Sequence, residues 1–143
     1  MMSKVRLANL QDVIEINELS LHLGYEQAPL NVATQRLEYL LESPLDDVYV
    51  FESKGHVLGW IHVFCANRLA SERFYEIAGL IVDPKARKQG VARQLVEAAS
   101  KASKEQGVKL RVRCHSDRSE AHLFYQKIGL TLVKIQHVYG SNE

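Results

Sequence analysis

The sequence contains few of the residues that mark specialised protein classes. Only two of its 143 residues are cysteine, Cys65 and Cys114, and they lack the spacing of a zinc site or a redox motif. We expect both to be reduced, buried thiols. No apolar run is long enough to span a bilayer, and no apolar segment of signal-peptide length follows the first basic residues. These absences predict a cytoplasmic protein without a membrane partner.

The sequence also lacks an excess of charge of either sign. Its 18 Lys and Arg residues nearly balance 17 Asp and Glu residues, so no global field favours nucleic acid. Any anion-binding site must therefore be local. The composition, 46% apolar and 24% charged, is that of a globular protein. Without a repeat or a linker, residues 1–143 are expected to form one domain.

The order of periodic segments predicts an α/β protein. Alternating β-branched and aromatic residues predict strands at 5–7, 48–51, 57–64, 75–82, 109–115 and 130–139. Apolar residues three and four apart predict helices at 13–23, 31–43 and 119–128, and one that starts at Val91 and is capped by Gly107. This order implies a central mixed β-sheet flanked by helices.

The segment after the fourth predicted strand has the character of an anion cradle. A strand that ends at Asp83-Pro84, a basic loop and an immediate helix bring free backbone N–H groups to the positive end of a helix dipole. Gly90 permits either a positive φ or close approach of a ligand. The loop lacks the dinucleotide and P-loop patterns. By itself it is equally compatible with a solubilising turn. Its residues are Arg87, Lys88, Gln89, Gly90, Val91 and Ala92.

Two ordered motifs resemble those of the GNAT superfamily of acyl-CoA-dependent N-acyltransferases. The first is Leu80-Ile81-Val82-Asp83-Pro84 followed by Arg87-x-x-Gly90-x-Ala92. The second is Arg118-x-x-Ala121-His122-x-Phe124-Tyr125-x-x-x-Gly129-Leu130. The resemblance covers essentially the whole chain. It departs from the superfamily at Arg118, where Asn is usual, and at Leu130, where Phe is usual.

This resemblance implies a fold, a cosubstrate and a set of contacts. In the superfamily two parallel central strands, here 75–82 and 109–115, splay apart and admit the pantetheine arm of acetyl-CoA. Main-chain groups of Ile81 and Val82 would bind that arm, and the amides of residues 87–92 would bind the pyrophosphate. No metal is implied.

Attack of an amine on a thioester requires a base, an oxyanion donor and an acid for the leaving thiolate. The resemblance assigns the acid role to Tyr125; without the motif, the pattern favours a core aromatic residue next to Phe124 on an amphipathic helix. Glu76 is the candidate base, and its alternative role is that of a solvated carboxylate at a strand end. The oxyanion donor is expected to be the N–H of Val82. His62, His115 and His122 are alternative bases, although a lone histidine is more often structural.

The acceptor is expected near Tyr25, Glu26 and Gln27, between the first two helices. Glu26 and Glu76, with Asp46 or Asp47, could form a cation-attracting pocket for a small amine or a peptide amino group. The sequence thus predicts an N-acetyltransferase. One alternative is a non-catalytic acyl-CoA sensor. An RNA-binding module built on Arg111, Arg113 and Arg118 is a weaker one, since an aromatic platform is missing. The strand at 130–139 could pair across a two-fold axis in a homodimer.

Overall fold

The structure is a computed structural model that describes residues 3–23, 27–114 and 118–141. The chain forms two compact units, residues 1–113 and residues 114–143. Within the described residues, the first unit contains the sheet and three α-helices, and the second contains one α-helix.

The helices and strands of the first unit follow the predicted order. The strands are β1 (Lys4–Leu7), β2 (Asp46–Ser53), β3 (His56–Ala66), β4 (Phe74–Val82) and β5 (Lys109–Val112). The helices are α1 (Val13–Ser20), α2 (Leu30–Glu42) and α3 (Val91–Glu105), and short 3-10 turns cover Leu10–Asp12, Leu21–Leu23 and Pro84–Ala86. β5 is shorter than predicted, because Arg113 and Cys114 have no strand structure; residue 115 lies outside the described residues.

The five strands form one mixed sheet in the order β1-β2-β3-β4-β5. The first four strands are antiparallel neighbours, and β5 pairs parallel to β4. The parallel pair is possible because α3 supplies the crossover between the two strands. The predicted mixed α/β sheet is therefore confirmed.

Close packing at Gly59 shows which face of the sheet α3 covers. A Cβ added at Gly59 would lie 3.0 Å from Val91 and 3.2 Å from Leu95, both in α3. Since side chains alternate along a strand, the neighbouring Trp60 faces the other side. There it packs against the core formed with α1 and α2, which includes Leu19 and Leu37.

A β-bulge in β4 changes which face of the sheet the side chains on either side of it occupy. The register with β3 runs from His62 opposite Gly79 to Val63 opposite Ile77, which leaves Ala78 as the extra residue. Gly79 therefore shares the face of His62, whereas Ile77 shares the face of Val63 and of α3. The bulge divides β4 into two segments with opposite alternation.

The second unit contains α4 (Ser119–Lys127), close to its predicted bounds. The predicted strand at 130–139 is wrong, because residues 130–141 have no regular secondary structure. An alternating sequence becomes a strand only where a neighbour supplies ladder hydrogen bonds. Within this segment Leu132, Val133, Ile135, Val138 and Tyr139 are all exposed. Its pairing in a homodimer stays a prediction.

An ion-paired cluster anchors the start of the chain to the sheet. Arg6 in β1 donates to both carboxylate oxygens of Asp12, at 2.8 and 2.9 Å, and also to Glu52 in β2. Burial opposes ionisation of Asp12, but the Arg6 hydrogen bond, the N–H of Asn9 and the Arg6 charge together lower its pKa. Asp12 is therefore a charged, nearly buried link between β1 and the start of α1.

We expect Asp12→Asn to lower the free energy of unfolding by about 1–3 kcal/mol at pH 7, because it leaves Arg6 with one fewer charged partner. A lowered folded-state pKa stabilises the protein fully above the ordinary carboxyl pKa of about 3.9, and this stabilisation is lost as pH falls through the folded value. Urea unfolding of the wild type and the variant should therefore converge towards pH 3. Glu38→Gln, at an exposed position of α2, is the control and should show no such convergence.

Candidate functional site

β4 and β5 are paired for only part of the length of β4. Their parallel register runs from Phe74 opposite Lys109 to Ile77 opposite Val112, and β4 then continues to Val82 without β5. Among the residues that the structure describes, no strand pairs with the edge of β4 over residues 78–82 on the β5 side, and we call this segment the open edge. The structure thus shows that pairing between these two strands ends partway along β4, whereas their predicted splaying stays a prediction.

Hydrogen bonding to β3 shows which main-chain groups face this open edge. The N–H of Asp83 donates to the carbonyl of Leu58 at 2.8 Å, so Asp83 points towards β3. Because main-chain direction alternates along a strand, Ile81 also points towards β3, whereas Leu80 and Val82 point to the open edge. Sequence reasoning named Ile81 and Val82 and missed Leu80; the main-chain groups of Ile81 are directed to β3 and not to the open edge, so this geometry does not support the contact expected there. The alternation of a strand is the signal that could have found Leu80.

The loop after β4 leads directly into α3. Gly90 is the N-cap of α3 with φ of +80°, and no side chain caps the helix. Lys88 also has a positive φ, of 66°. The positive φ was one of the two roles considered for Gly90, and the structure confirms it. The first N–H groups of a helix have no intrahelical partner, so they are available to an anion here.

The surroundings of this loop combine exposed charge with a buried anchor. Arg87, Lys88 and Gln89 are exposed, whereas Val91 is buried in the core under the first turn of α3. A Cβ added at Gly90 would have no atom within 4 Å, so the space outside the helix end is open. The loop therefore presents backbone N–H groups and cationic side chains towards free space.

Glu76 is a buried carboxylate on β4, two residues before the bulge. It is 8% exposed, and Arg113 Nε donates to its Oε1 at 2.9 Å. Its register partner on β3 is Phe64, which places it on the face opposite α3. The interpretation of Glu76 as a solvated strand-end carboxylate is therefore wrong. It is a buried carboxylate, bound by Arg113, on the same face of the sheet as His62.

Asp46 and Asp47, proposed from sequence as part of a cation-attracting pocket, lie on opposite faces of β2. Asp46 accepts from Ser43 and contacts Nε2 of His62, both at 2.7 Å. Asp47 lies on the face covered by α3, and burial, followed by the nearby Asp46 charge, raises its pKa, while His62 opposes this. Asp46 therefore shares the face of Glu76, with Phe64 between them in the register, whereas Asp47 does not.

The remaining acceptor residues are only partly described. Tyr25 and Glu26 lie outside the described residues, as does the alternative base His115. Gln27 is described and is exposed, in the segment just before α2. The acceptor pocket therefore stays a prediction for this part of the chain.

Tyr125 lies in α4 of the second unit, where it is half-buried and packs edge-to-face on Phe124 with ring centroids 5.3 Å apart. Burial, followed by the neighbouring Cys114, raises the pKa of the phenol above its ordinary value, and Arg118 opposes the shift. The phenol is therefore protonated at neutral pH and can donate a hydrogen bond.

Two further polar features of the second unit involve residues of α4 and its N-cap. Cys114 Sγ lies 3.6 Å from Nδ1 of His122. Arg118 is the exposed N-cap residue of α4, and its side chain makes no capping bond. Both cysteines of the chain are free.

Residues 3–23, 27–114 and 118–141 contain neither a metal-ligand cluster nor a membrane-spanning helix. Within these ranges, no three His, Cys, Asp or Glu side chains come together as metal ligands. The helices in the same ranges are too short or too polar to cross a membrane.

β4, the loop at 87–92 and α3 thus carry three functional groups one after another along the chain. Glu76 is a carboxylate that can accept a proton, and the main chain of Leu80 and Val82 can hydrogen-bond an extended ligand. The N-terminus of α3 with its cationic loop can hold a phosphate group. The arrangement is suited to a long, extended ligand with an anionic end.

Comparison with solved structures shows where this fold occurs. The chain is similar to aminoglycoside N-acetyltransferase AAC(6')-Iy in complex with CoA, with a TM-score of 0.86, 17% identity, and coverage of 98% of this chain and 95% of the other. It is similar to glucosamine-6-phosphate N-acetyltransferase from Arabidopsis thaliana, with a TM-score of 0.86, 19% identity, and coverage of 99% and 100%. A transcriptional regulator from Bacillus halodurans C-125 has a TM-score of 0.87 at 17% identity over 98% and 100%. At these identities the likeness concerns the fold.

Sequence comparison identifies the family. A search of curated protein sequences found no match. The acetyltransferase (GNAT) domain profile, however, matches residues 44–130, which is more than half of the chain. The matched range includes the open edge of β4, the loop at 87–92 and α4. The chain therefore belongs to the GNAT family of acetyltransferases.

Proposed function

We propose that the chain is an N-acetyltransferase that transfers the acetyl group of acetyl-CoA to a primary amine of a small molecule or peptide, by direct attack in a ternary complex. The observation that carries the proposal is the unit formed by β4, the loop and α3. It combines a buried carboxylate, unpaired main-chain groups and an anion cradle in one continuous stretch.

The proposed binding of acetyl-CoA follows this unit from end to end. The pyrophosphate accepts hydrogen bonds from the amides at Gly90, Val91 and Ala92, and the charges of Arg87 and Lys88 add to the helix dipole. The pantetheine arm of acetyl-CoA extends along the open edge of β4, where Leu80 and Val82 offer main-chain donors and acceptors. The AAC(6')-Iy structure with CoA supports this cosubstrate for the fold.

The proposed chemistry assigns one proton to each ionisable group. Glu76 accepts a proton from the amine, directly or through a water, so that the nitrogen lone pair can attack the thioester carbonyl. A main-chain N–H of Leu80 or Val82 stabilises the oxyanion. When the C–S bond breaks, Tyr125 donates its proton to the thiolate, and the second proton that the nitrogen loses as the amide forms returns through solvent to the Tyr125 phenolate.

His62 is the main alternative to Glu76 as the base. It lies on the same face of the sheet, and Asp46 holds its Nε2 at 2.7 Å. An aspartate that orients an imidazole is a common arrangement for a general base. Glu76 is preferred because it lies on β4 itself, next to the bulge and the open edge.

Gly90→Val should weaken binding of CoA at least about tenfold. A β-branched residue is strained at a φ of +80° and places its methyl groups in the open space outside the amides of α3. Calorimetric titration of CoA measures the loss. Gly107→Val, at the other end of α3, is a matched control, because Gly107 has a φ of +69° and equally open surroundings. Equal affinity of the two variants for CoA would show that the pyrophosphate binds elsewhere.

Tyr125→Phe should reduce kcat by about 100-fold or more, because the leaving thiolate loses its proton donor, while binding of CoA stays close to wild type. Release of free CoA thiol with a panel of amines measures kcat. Tyr139→Phe removes an exposed phenol of the same unit and serves as the control. A wild-type rate in Tyr125→Phe would remove Tyr125 from the mechanism.

Glu76→Gln should reduce kcat/KM by about 100-fold near neutral pH, because an amine is mostly protonated there and its base is lost. The deficit should narrow as pH approaches the pKa of the amine, since the free base then forms in solution. The pH profile of thiol release tests both statements.

The ion pair of Glu76 requires its own control. Arg113→Gln also breaks the pair but keeps the carboxylate, so it separates the loss of a base from the loss of a structural contact. Equal activity losses in the two variants, with the same pH profile, would show that the ion pair accounts for the loss and that Glu76 is not the base. His62 would then be the candidate base. If CoA binds and no amine releases thiol in the wild type, the chain is an acyl-CoA sensor instead.

A further inference from the structure

The strand β5 and the end of β3 carry cationic side chains that the proposed chemistry does not use. Arg111 lies on β5 opposite Glu76, so it faces the side of the sheet opposite α3, while Arg113 directly follows β5 and Arg68 follows β3. Arg113 is paired with Glu76. The other two arginines have a different environment.

Arg68 and Arg111 both contact the ring of Phe74. The guanidinium carbon of Arg111 lies 4.1 Å from the ring centroid, and that of Arg68 lies 5.7 Å from it. Phe74 is 5% exposed, so its ring is a fixed platform. Over residues 3–23, 27–114 and 118–141, neither guanidinium forms an ion pair. Two positive charges are thus held at one place without a carboxylate.

Stacking leaves the binding groups of a guanidinium free. A ring covers the face of the planar group, whereas the N–H donors point outwards in the plane and can bind a carboxylate or phosphate in a bidentate manner. Arg111 is half-buried, which strengthens its electrostatic interactions relative to bulk water. Arg68 is exposed, and its side chain is accessible to a ligand.

The positions of these arginines relative to Glu76 follow from the sheet register. Arg111 is the register partner of Glu76 on the adjacent strand, at a spacing of about 4.8 Å between strands. Phe74 is two residues from Glu76 on the same face, about 7 Å along the strand. An oxyanion at Arg111 and an amine at Glu76 would therefore be a few bonds apart.

We propose that the acceptor is a small amine that carries an oxyanion, a carboxylate or a phosphate, and that Arg111 and Arg68 on Phe74 bind this group while Glu76 receives the amine. This inference rests on the proposed acetyl transfer. It differs from the cation-attracting pocket expected from the sequence, because it places the positive charges of Arg111 and Arg68 near the amine. Strongly cationic amines are disfavoured acceptors.

Paired acceptors test the inference with the full-length chain and acetyl-CoA. Glycine and glycinamide differ in a carboxylate, and glucosamine 6-phosphate and glucosamine differ in a phosphate, while spermidine is a cationic probe. Thiol release gives kcat and KM for each. In at least one pair, the acceptor that carries the oxyanion (the anionic member) should have a kcat/KM about tenfold or more above that of the acceptor that lacks it (the neutral member). The pair that responds identifies the oxyanion.

Variants then assign this preference to the arginines. Arg111→Gln and Arg68→Gln should lower the anionic-to-neutral ratio, with the change mainly in KM, because binding of the oxyanion is lost. Arg111→Lys should retain part of the ratio, since it keeps the charge without the planar fork. Arg36→Gln, at an exposed position of α2, is the control and should keep it. Circular dichroism melting shows whether each variant is folded.

The outcomes separate this inference from the proposed function. Two results overturn the inference but leave the proposed acetyltransferase function intact. One is acetylation by folded Arg111→Gln with an unchanged anionic-to-neutral ratio of kcat/KM. The other is a wild-type preference for spermidine over every other acceptor. If no probe is acetylated, calorimetric titration of glucosamine 6-phosphate into the CoA-bound protein measures binding of the oxyanion without the reaction. Binding that Arg111→Gln abolishes, without acetylation by any probe, supports the anion site and overturns the proposed function. If there is neither binding nor acetylation, both are wrong.

Discussion

The end of the pairing between β4 and β5 at Ile77 is the constraint on which the rest of the site depends. Inside a sheet, each strand uses its main-chain groups on both edges. β4 runs on to Val82 after β5 has left, so Leu80 and Val82 have main-chain groups directed to an edge without a strand. Such groups need a partner, and an extended amide-containing ligand can supply one. The loop at 87–92 follows from the same strand, so its anion cradle lies at the end of that edge.

The bulge at Ala78 adds a second condition. Without it, Ile77 and Gly79 would share one face of the sheet. With it, Ile77 packs on the α3 side while Glu76 and Gly79 lie together on the opposite face. A carboxylate is thereby brought to the face on which His62 also lies. The bulge, and not the residue types alone, makes Glu76 a candidate for proton transfer.

Electrostatic pairing decides which of the many charged residues remain available. The chain as a whole is nearly neutral, yet its charges are not evenly neutralised. Asp46 is occupied by His62 and Ser43, whereas Arg111 and Arg68 are held on an aromatic ring without a carboxylate. A balanced composition therefore coexists with a locally positive surface beside Glu76, where it can select an acceptor.

Features encoded in contiguous residues could be predicted from the sequence. The loop and the N-terminus of α3 belong to this group, because Gly90, the basic residues and the start of the helix are adjacent in the chain and act through local backbone geometry. The helices and antiparallel strands of the first unit follow from the same local periodicities. The segment 130–139 was predicted wrongly, since alternation predicts a strand while only a neighbouring strand can supply its hydrogen bonds. The tertiary structure alone decided that β5 leaves β4 at Ile77, that Glu76 pairs with Arg113, and that Asp46 contacts His62. Each of these depends on register between segments distant in the chain, which local periodicity does not determine.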